Sequence, residues 1–365
     1  MTALVITKDN KNCSNKYAVW AITPNGAILA RKIKQGLKNT DCHIPLHMKG
    51  YDDRCVRFEN LKARVLSSFS HYKGHIFIMA TGIVVRIIAP LIRDKTKDPA
   101  VVVLDEKGNH CISLLSGHLG GANELARQVA QILGAVPVIT TATDAHDIPS
   151  IDLMAQEMGL AIENPDAIKI VNMALLERKP IEVFDPYRLL NDSLPAATVT
   201  PTQTLPLQGG AQSGGKNQPT IYVSDEIKEL PPTWLILRPR TLVAGIGCNR
   251  GTGKEEIKNF LYNVFRKYRL SVKSLCRLAT IDIKKDEAGL IELAEEFGLP
   301  IMFYSSEELN RVKGVQSPSK LVEKHTGVES VCEGAALLGA KTSKLLVPKQ
   351  VAKDVTVAVA RTVYT

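Results

Sequence analysis

The sequence predicts an α/β protein in three parts: an N-terminal α/β sandwich domain, a small middle α/β region and a C-terminal α/β domain. The 365 residues exceed the usual size of a single domain. Short apolar runs alternate with segments of helical spacing, which is typical of a sheet covered by helices on both faces. A stretch rich in Pro, Thr, Gln, Gly and Ser, residues 196–220, interrupts this alternation before the last part of the chain.

The predicted boundaries follow from the same alternation, which breaks near residue 143 and starts again near residue 239. We therefore predict an N-terminal domain over residues 1–142, a middle region over residues 143–238 and a C-terminal domain over residues 239–365. The polar stretch 196–220 cannot bury a core, so it is predicted to be a flexible linker within the middle region.

In the N-terminal domain, apolar runs predict strands and wider spacing predicts helices. Glu106-Lys107-Gly108-Asn109 lies between two apolar runs and indicates a hairpin turn. The predicted strands are residues 3–7, 43–47, 75–80, 100–105, 111–115 and 136–140. The predicted helices are residues 17–34, which Pro24 and Gly26 interrupt, an apolar stretch from 81 to 90, and residues 120–133.

The middle and C-terminal parts also alternate predicted strands with predicted helices. Helices are predicted in the middle region at 152–158 and 165–176, with strands at 181–184, 221–224 and 234–237. The C-terminal strands are predicted at 241–248, 278–283, 300–304, 344–351 and 355–361, the last two as an antiparallel pair. The C-terminal helices are predicted at 254–268, 290–297, 319–325 and 331–338.

The net charge of +9 raises nucleic acid, an anionic membrane or a polyanionic small molecule as a partner. The basic residues are dispersed and aromatic residues make up only 5%, so platforms for base stacking are scarce. We therefore predict no nucleic-acid partner. Of the three classes, a polyanionic small molecule is preferred to nucleic acid. Charge alone indicates no more than a lysine-rich surface.

Cysteine usage and hydropathy predict a cytoplasmic protein. The seven cysteines are scattered without a CxxC pair, so neither a zinc knuckle nor a disulfide framework is supported. The first residues lack the basic and long apolar regions of a signal peptide, and the apolar runs are too short to span a bilayer. We expect no membrane partner and no metal site.

The densest polar segment is SLLSGHLGGANELA, residues 113–126. A strand there leads through a loop into a helix, where backbone N–H groups favour anions and glycines allow a ligand to approach closely. The segment contains candidate catalytic and binding residues: Ser116, Gly117, His118, Gly120, Gly121, Asn123 and Glu124. The alternative, given equal weight, is a glycine-rich turn in which the histidine caps or packs.

Three further polar segments follow predicted strands. Thr81 and Gly82 begin a predicted helix on which Arg86 could bind a carboxylate through two hydrogen bonds. A capped helix with a solvated arginine explains the pattern more simply. Asp105 and Glu106 end an apolar strand and face opposite sides, so an ordinary acidic turn is the preferred interpretation. Residues 140–152, which include Asp144, are rich in hydroxyls and carboxylates, and a solvated loop explains them at least as well.

A glycine-containing loop, GIGCNRGT, follows a predicted strand at residues 245–252. It lacks both the GK[ST] ending of a P-loop and the GxGxxG spacing of a dinucleotide-binding turn, so ATP and NAD are not predicted ligands. Binding of carboxylates by Gly247, Asn249 and Arg250 is consistent with the pattern. No neighbouring residue identifies a base for Cys248, so this cysteine is predicted to be structural.

Several long segments together resemble the CbiG family of cobalamin biosynthesis. The N-terminal ones are ATGIVVRIIAP, DKTKDPAVVVLDEKG, ISLLSGHLGGANELA and PVITTATD. The middle one is PSIDLMAQEMGLAIENPDAIKIVNMALL. The C-terminal ones, which also resemble stand-alone CobE-type proteins, include LVAGIGCNRGTGKEEI, LATIDIKKDEAGLIELAEEFGLPIMFYSSEEL, SPSKLVEKHTGVESVCEGAALL and LLVPK. The resemblance covers nearly the whole chain except the linker near Gly209.

The resemblance implies a hydrolase of anaerobic cobalamin biosynthesis that acts on cobalt-precorrin-5A, a tetrapyrrole. Water opens the δ-lactone between the ring A acetate and the methylated meso carbon, and that carbon then leaves with its methyl group as acetaldehyde. The cobalt belongs to the substrate, so no cofactor is expected. A homodimer is compatible with these observations. The alternative is a non-catalytic protein that binds or carries a corrinoid intermediate.

Lactone opening needs a base for water, donors for the oxyanion and an acid for the leaving oxygen. His118 is the best-placed base in the sequence, with Ser116 nearby, and Glu106, Asp144 or Glu124 could orient or replace it. The substrate's carboxylates suit a basic protein, with Arg86 and Arg250 among the candidate contacts. We further expect the strand ends at 80–86, 105–106 and 116–124 to line one cleft.

Overall fold

The computed structural model describes residues 14–48, 50, 54–94, 97–146, 148, 150–190, 194, 199–201, 218–318 and 327–362. These residues form three separate sheets. Residues 11–154 belong to one compact unit and residues 155–365 to another. The α/β class predicted from the sequence is confirmed in each of the three sheets.

The first unit is built on one mixed sheet. Its strands within the described residues are β1 Ser14–Ala21, β2 Thr40–Pro45, β3 Val56–Phe58, β4 Tyr72–Ile78, β5 Ala100–Leu104, β6 His110–Leu115 and β7 Val136–Val138. Their order is β3-β2-β1-β4-β5-β6-β7. The first five are parallel, β6 runs antiparallel to β5, and β7 runs parallel to β6. All five residues of β5 are buried, as expected for a strand covered on both faces.

Helices cover both faces of this sheet. They are α1 Pro24–Gly36, α2 Leu61–Ser68, α3 Thr81–Ile88, α4 Ala122–Leu133 and α5 Ala142–Ala145, followed at the edge of the unit by α6 Ile151–Glu157. Short 3-10 turns at Phe69–His71 and Ala89–Leu91 extend α2 and α3. The apolar residues of α1 and α4 share one core, and those of α2 and α3 share the core on the other face. This is the predicted sandwich.

The hairpin between β5 and β6 decides where the polar loops lie. Val101 pairs with Leu115 and Leu104 pairs with Cys111. The carboxyl end of β6 is therefore at the opposite edge of the sheet from the carboxyl ends of β4 and β5. The expectation that three strand ends line one cleft is wrong, because it took β6 to be parallel to its neighbours.

Two predictions for the N-terminal domain need comment. The predicted helix at 17–34 is wrong at its start, because β1 occupies Ser14–Ala21 and the helix begins only at Pro24. Thr23 explains this boundary, since its hydroxyl accepts the amide of Gly26 at 3.1 Å while Pro24 takes the first helical position. The strand predicted at 3–7 lies outside the described residues.

The second unit begins with a smaller sheet. Its strands are β8 Ala161–Ile162, β9 Ile181–Phe184, β10 Val199–Pro201, β11 Thr220–Val223 and β12 Leu235–Arg238, in the order β10-β9-β11-β12-β8. A 3-10 turn at Pro165–Ala167 leads into α7 Ile168–Leu176. β10 and the start of β11 fall within the predicted linker, so that prediction is wrong for these residues. Residues 202–217 lie outside the described part.

The C-terminal sheet has the order β15-β14-β13-β17-β16. Its strands are β13 Leu242–Cys248, β14 Leu275–Ile281, β15 Ile301–Tyr304, β16 Leu345–Val351 and β17 Val355–Arg361. Its helices are α8 Lys254–Lys267, α9 Ala288–Phe297, α10 Ser306–Asn310 and α11 Val331–Ala340, with 3-10 turns at Val272–Ser274 and Asp282–Lys284. The predicted antiparallel pair at the end is confirmed. The helix predicted at 319–325 lies outside the described residues.

Glycine allows α11 to pack directly on β13. A Cβ atom at Gly245 would lie 1.9 Å from the carbonyl oxygen of Cys332 and 2.6 Å from the amide nitrogen of Ala336. Both of these atoms are backbone and cannot move aside, so only glycine fits at this position. Among the described residues, no helix is both long and apolar enough to cross a membrane.

A buried ion pair links the middle sheet to the C-terminal sheet. Asp225 follows β11 and is fully buried, and Arg361 at the end of β17 donates to it from Nε and Nη2, both at 2.7 Å. The hydroxyl of Thr241 donates to the same carboxylate at 2.6 Å. The chain between β12 and β13 is therefore bound to both sheets.

Candidate active site

The candidate site lies where β6 leads into α4 in the first unit. The intervening turn is tight: Gly121 N–H donates to the carbonyl of His118 at 2.8 Å, and Ala122 N–H donates to that of Ser116 at 3.0 Å. Ser116 has a φ of 60° and Gly121 a φ of 82°. A Cβ atom at Gly120 would lie 2.2 Å from that of Ser116, so the turn requires glycine there.

His118, which this turn presents, is held between two carboxylates. Its Nε2 lies 3.1 Å from Oδ2 of Asp144 and 3.1 Å from the hydroxyl of Thr143. Its Nδ1 lies 3.5 Å from Oδ2 of Asp152 and 3.2 Å from the hydroxyl of Ser150. The imidazole is 15% exposed, so a reactant has access to a small part of the ring.

Asp144 is fixed by donors on α4. Arg127 donates from Nη2 to its Oδ1 at 2.5 Å, and Asn123 donates from Nδ2 to its Oδ2 at 2.9 Å. Asn123 is itself held, because its amide also donates to Thr141 and its Oδ1 accepts the hydroxyl of Ser113. The histidine therefore contacts a carboxylate whose position is set by several hydrogen bonds.

The charges around His118 favour its protonated form. The hydrogen bond to Asp152 raises the pKa of His118 above its ordinary value, and Asp144 adds to this effect while burial opposes it. Burial would raise the pKa of Asp144, but hydrogen bonds from Arg127 and His118 outweigh burial and hold that pKa below its ordinary value. A neutral His118 in this site is thus a stronger base than a free imidazole.

The turn before α4 also contains backbone amides without a described acceptor. Within the described part of the chain, the N–H groups of Gly117, Leu119 and Gly120 donate to no other residue. They precede α4, whose N-cap is Gly121 without a side-chain cap. Free backbone amides close to a helix N-terminus can stabilise an oxyanion. The hydroxyl of Ser116 is buried and has no hydrogen-bond partner among the described residues.

The predicted catalytic residues divide between the two edges of the sheet. His118 and Asp144 come together, with Asn123 beside them. Ser116 belongs to the same turn, but its hydroxyl has no hydrogen-bond partner among the described residues. Glu124 is on α4 with its side chain 63% exposed, and it contacts Arg127 and Gln128 rather than His118. Glu106 lies in the β5–β6 turn at the opposite edge, where it cannot orient His118. Its predicted role at the histidine is therefore wrong.

The residues predicted to bind substrate near α3 are also at the opposite edge. Arg86 is exposed, and its Nη1 donates to the carbonyl of Gly82 at 3.2 Å. Thr81 does not cap the helix, because the N-cap is Ala80 and no side-chain cap bond forms. Contacts of Thr81, Gly82 and Arg86 with a substrate at His118 are thus not supported by this geometry.

In the C-terminal domain the loop after β13 is braced internally. Asn249 donates from Nδ2 to Asp354 at 2.7 Å, and Arg250 donates from Nη1 to Asp286 at 2.7 Å. A Cβ atom at Gly247 would lie 2.6 Å from the hydroxyl of Thr356. Burial raises the pKa of the Cys248 thiol, which fits a structural cysteine.

Four residues of the site were not singled out from the sequence: Thr143, Ser150, Asp152 and Arg127. The first three belong to the polar segment 140–152, which was noticed as a group. Arg127 is one helical turn beyond Asn123 on α4, so helical spacing was the available signal. No group of three or more His, Cys, Asp or Glu side chains within the described ranges is placed to hold a metal ion.

The fold and the site together define a multidomain α/β protein with a histidine–carboxylate centre suited to proton transfer. Three family profiles match the chain: the cobalamin synthesis G N-terminal domain at residues 64–144, the cobalamin biosynthesis central region at 149–239 and the cobalamin synthesis G C-terminus at 242–360. The chain therefore belongs to the CbiG family.

Two hydrolases from other organisms agree with this assignment. The cobalt-precorrin-5A hydrolase of Priestia megaterium is 35% identical over 94% of this chain and 94% of its own length. That of Salmonella typhimurium is 35% identical over 88% of this chain and 91% of its own. A crystal structure of a cobalamin biosynthesis protein G homolog from Sulfolobus solfataricus aligns over 96% of this chain and 98% of that one at 23% identity, with a TM-score of 0.38.

Proposed function

We propose that this chain is a cobalt-precorrin-5A hydrolase. The observation that carries the proposal is the 35% identity to the Priestia megaterium hydrolase along 94% of both chains. The proposed substrate is a tetrapyrrole that already contains cobalt, so the metal arrives with the substrate. The reaction consumes one water, opens the δ-lactone and releases acetaldehyde.

In the proposed reaction, His118 is the proton carrier. Its neutral form accepts a proton from the water that attacks the lactone carbonyl. The imidazolium that forms is stabilised by Asp152 at Nδ1 and Asp144 near Nε2. It then gives its proton to the ring oxygen as the acyl–oxygen bond breaks. The freed alcohol then loses its O–H proton while the carbon–carbon bond that joins it to the macrocycle breaks. The carbon leaves with its methyl group as acetaldehyde, and the electron pair of the broken bond stays on the macrocycle, which takes up a proton.

The turn before α4 supplies the second requirement of this chemistry. Negative charge develops on the carbonyl oxygen as water adds to it. The free amides of Gly117, Leu119 and Gly120 are suitable donors for that oxygen, and the N-terminal end of α4 adds a favourable dipole. Ser116 is proposed to shape this turn rather than to react, because its hydroxyl is buried against Gly120.

The direct test incubates the purified full chain with cobalt-precorrin-5A and measures acetaldehyde with a coupled alcohol dehydrogenase. We expect one acetaldehyde for each molecule of substrate consumed, and many substrate molecules consumed by each enzyme molecule. Binding of the substrate without acetaldehyde release would instead support a carrier of corrinoid intermediates. A cytoplasmic location, a homodimer and the absence of nucleic-acid, metal and cofactor partners remain predictions from the sequence.

A further inference from the structure

The second unit contains a cavity that the proposed chemistry does not use. It has a volume of about 620 Å³ and lies between the middle region and the C-terminal domain. Ala161, Glu163 and Ile227 contribute from the middle region, and the end of α8 with the following turn contributes from the other side. This volume falls within the range of small-molecule sites.

The lining of this cavity is strongly basic. Arg240, Arg266, Arg269 and Lys273 line it, whereas Glu163 is the one carboxylate among the described residues that line it. Glu163 is already paired, because Arg238 lies 3.1 Å and Lys273 lies 3.4 Å from its carboxylate oxygens. The charge of the three arginines is therefore left without an acidic counterpart in the cavity.

Two of these arginines donate to neutral acceptors. Arg240 donates from Nη1 to the carbonyl of Leu275 at 3.1 Å, and Arg266 donates from Nη2 to the amide oxygen of Asn263 at 2.7 Å. In the part of the chain that the structure describes, none of Arg240, Arg266 and Arg269 forms a salt bridge. Like charges gathered in a concave site without counterions attract an anion.

The remaining surface of the cavity is apolar and aromatic. Phe265, Leu270 and Leu275 are buried along it, and Leu299 adds to the same surface. Tyr262 and Phe297 meet edge to face, with ring centroids 6.1 Å apart, and Tyr262 remains 44% exposed. A ligand with a flat apolar body can bury its faces here while its acidic groups reach the guanidinium groups.

We propose that this cavity, here called the arginine groove, binds an organic polyanion with a flat apolar body and several carboxylates. Arg240, Arg266 and Arg269 recognise the carboxylates, and the exposed side chains of Tyr262 and Ile227 contact the ring. The tetrapyrrole of the proposed function belongs to this class, and only the natural ligand's identity rests on that function. All residues that line the groove belong to residues 155–365, whereas His118 belongs to the other compact unit.

The test titrates the full chain with coproporphyrin, a flat ring that carries propionate carboxylates, and follows its absorbance. We expect saturable binding that weakens by about tenfold for each of Arg240→Ala, Arg266→Ala and Arg269→Ala, since each loses a charge-assisted hydrogen bond. Arg311→Ala, which removes an exposed arginine of the same unit outside the groove, is the matched control and should bind like the wild type. Citrate, which has carboxylates but no apolar body, should bind far more weakly.

Circular dichroism of each variant establishes that it is folded. Equal affinity of the wild type and the triple arginine variant for coproporphyrin would overturn the proposal, as would a wild type that binds no coproporphyrin. Citrate binding as tight as coproporphyrin binding would refute the proposed contact between the ring and the apolar surface of the groove. His118→Ala should keep coproporphyrin binding, so a failed acetaldehyde assay with intact groove binding would count against the proposed function alone.

Discussion

Trp20 donates its indole N–H to Nδ1 of His75 at 3.0 Å, inside the core of the N-terminal sheet. The other ring nitrogen of His75, Nε2, lies 3.0 Å from the carbonyl oxygen of Phe69 and donates to it. One nitrogen accepts and the other donates, so the ring is held in a single neutral tautomer. Burial lowers the pKa of His75 to about 4 and that of the neighbouring His43, which stacks on Trp20, to about 3.

These two histidines predict acid sensitivity of the first unit. Below pH 6.5 the unfolded chain binds protons that the folded core excludes, so stability is complete above that pH and is lost as the pH falls. Each histidine should contribute a slope of about 1.4 kcal/mol per pH unit between about pH 6 and its folded pKa. Urea unfolding of the wild type from pH 7 to pH 5 measures this slope.

His75→Gln tests the source of the slope, because glutamine offers a donor and an acceptor but does not titrate. We expect a smaller pH dependence in this variant, by the contribution of one histidine. An unchanged slope would mean that His75 is not kept neutral in the folded state. His71, an exposed histidine in the turn before β4, provides the control substitution to Gln.

His118→Ala should abolish most of the proposed turnover. Loss of a general base typically lowers the rate roughly a hundred- to ten-thousand-fold. Since the imidazole contacts protein carboxylates rather than a binding surface, KM should change little while kcat falls. Steady-state acetaldehyde release gives both constants. His110→Ala removes a histidine from the opposite edge of the same sheet and should leave them unchanged; a comparable loss there would contradict the placement of the site.

The pH profile of kcat should rise through a pKa above the ordinary value of histidine. The base must be neutral to act, and the hydrogen bond to Asp152 favours the protonated imidazole. Asp152→Asn removes this stabilisation, so the rising limb should shift to lower pH and kcat at its plateau should fall. Rate measurements from pH 5 to pH 9 test both points. A rate that instead declines over this range would show that His118 acts first as an acid.

Glu333→Gln should destabilise the C-terminal domain. The buried carboxylate accepts the amides of Gln316, Ser317 and Lys349 at 2.7, 2.9 and 2.8 Å. A glutamine side chain has one acceptor oxygen, so at least one amide loses its partner and the NH2 group faces another donor. We expect a loss of about 2–4 kcal/mol in the free energy of unfolding. Chemical denaturation measures it, with the exposed Glu329→Gln as the control expected to have no effect.

The sequence predicted the fold class and most strands because apolar runs such as 100–105 report burial directly. It did not predict the start of α1, because the apolar residues of β1 are buried on both faces of the sheet and show no alternation. The site was only partly predicted. His118, Ser116 and Asp144 were identified from polar glycine-rich segments, but Asp152 becomes a partner of the histidine only through the path of the chain after α5.

The error about the cleft has a single physical cause. A hairpin and a crossover both place two strands side by side, but only the crossover keeps their carboxyl ends together. The turn at Glu106 reverses the chain between β5 and β6, so the loop at Ser116 follows the end of β6 that lies away from Arg86. Arg86 and His118 were therefore expected in one cleft although they lie at opposite edges of the sheet.

The buried contact of Asp225 with Arg361 and Thr241 bears on how this chain could be divided into pieces. A truncation between the middle and C-terminal regions would remove Asp225. The end of β17 in the C-terminal sheet would then lose its contact with the loop that follows β11 in the middle sheet. The guanidinium of Arg361 would lose its bidentate partner. Residues 155–365 should therefore melt in one cooperative transition, and a fragment that begins at residue 239 should be less stable than the same sequence in the intact chain.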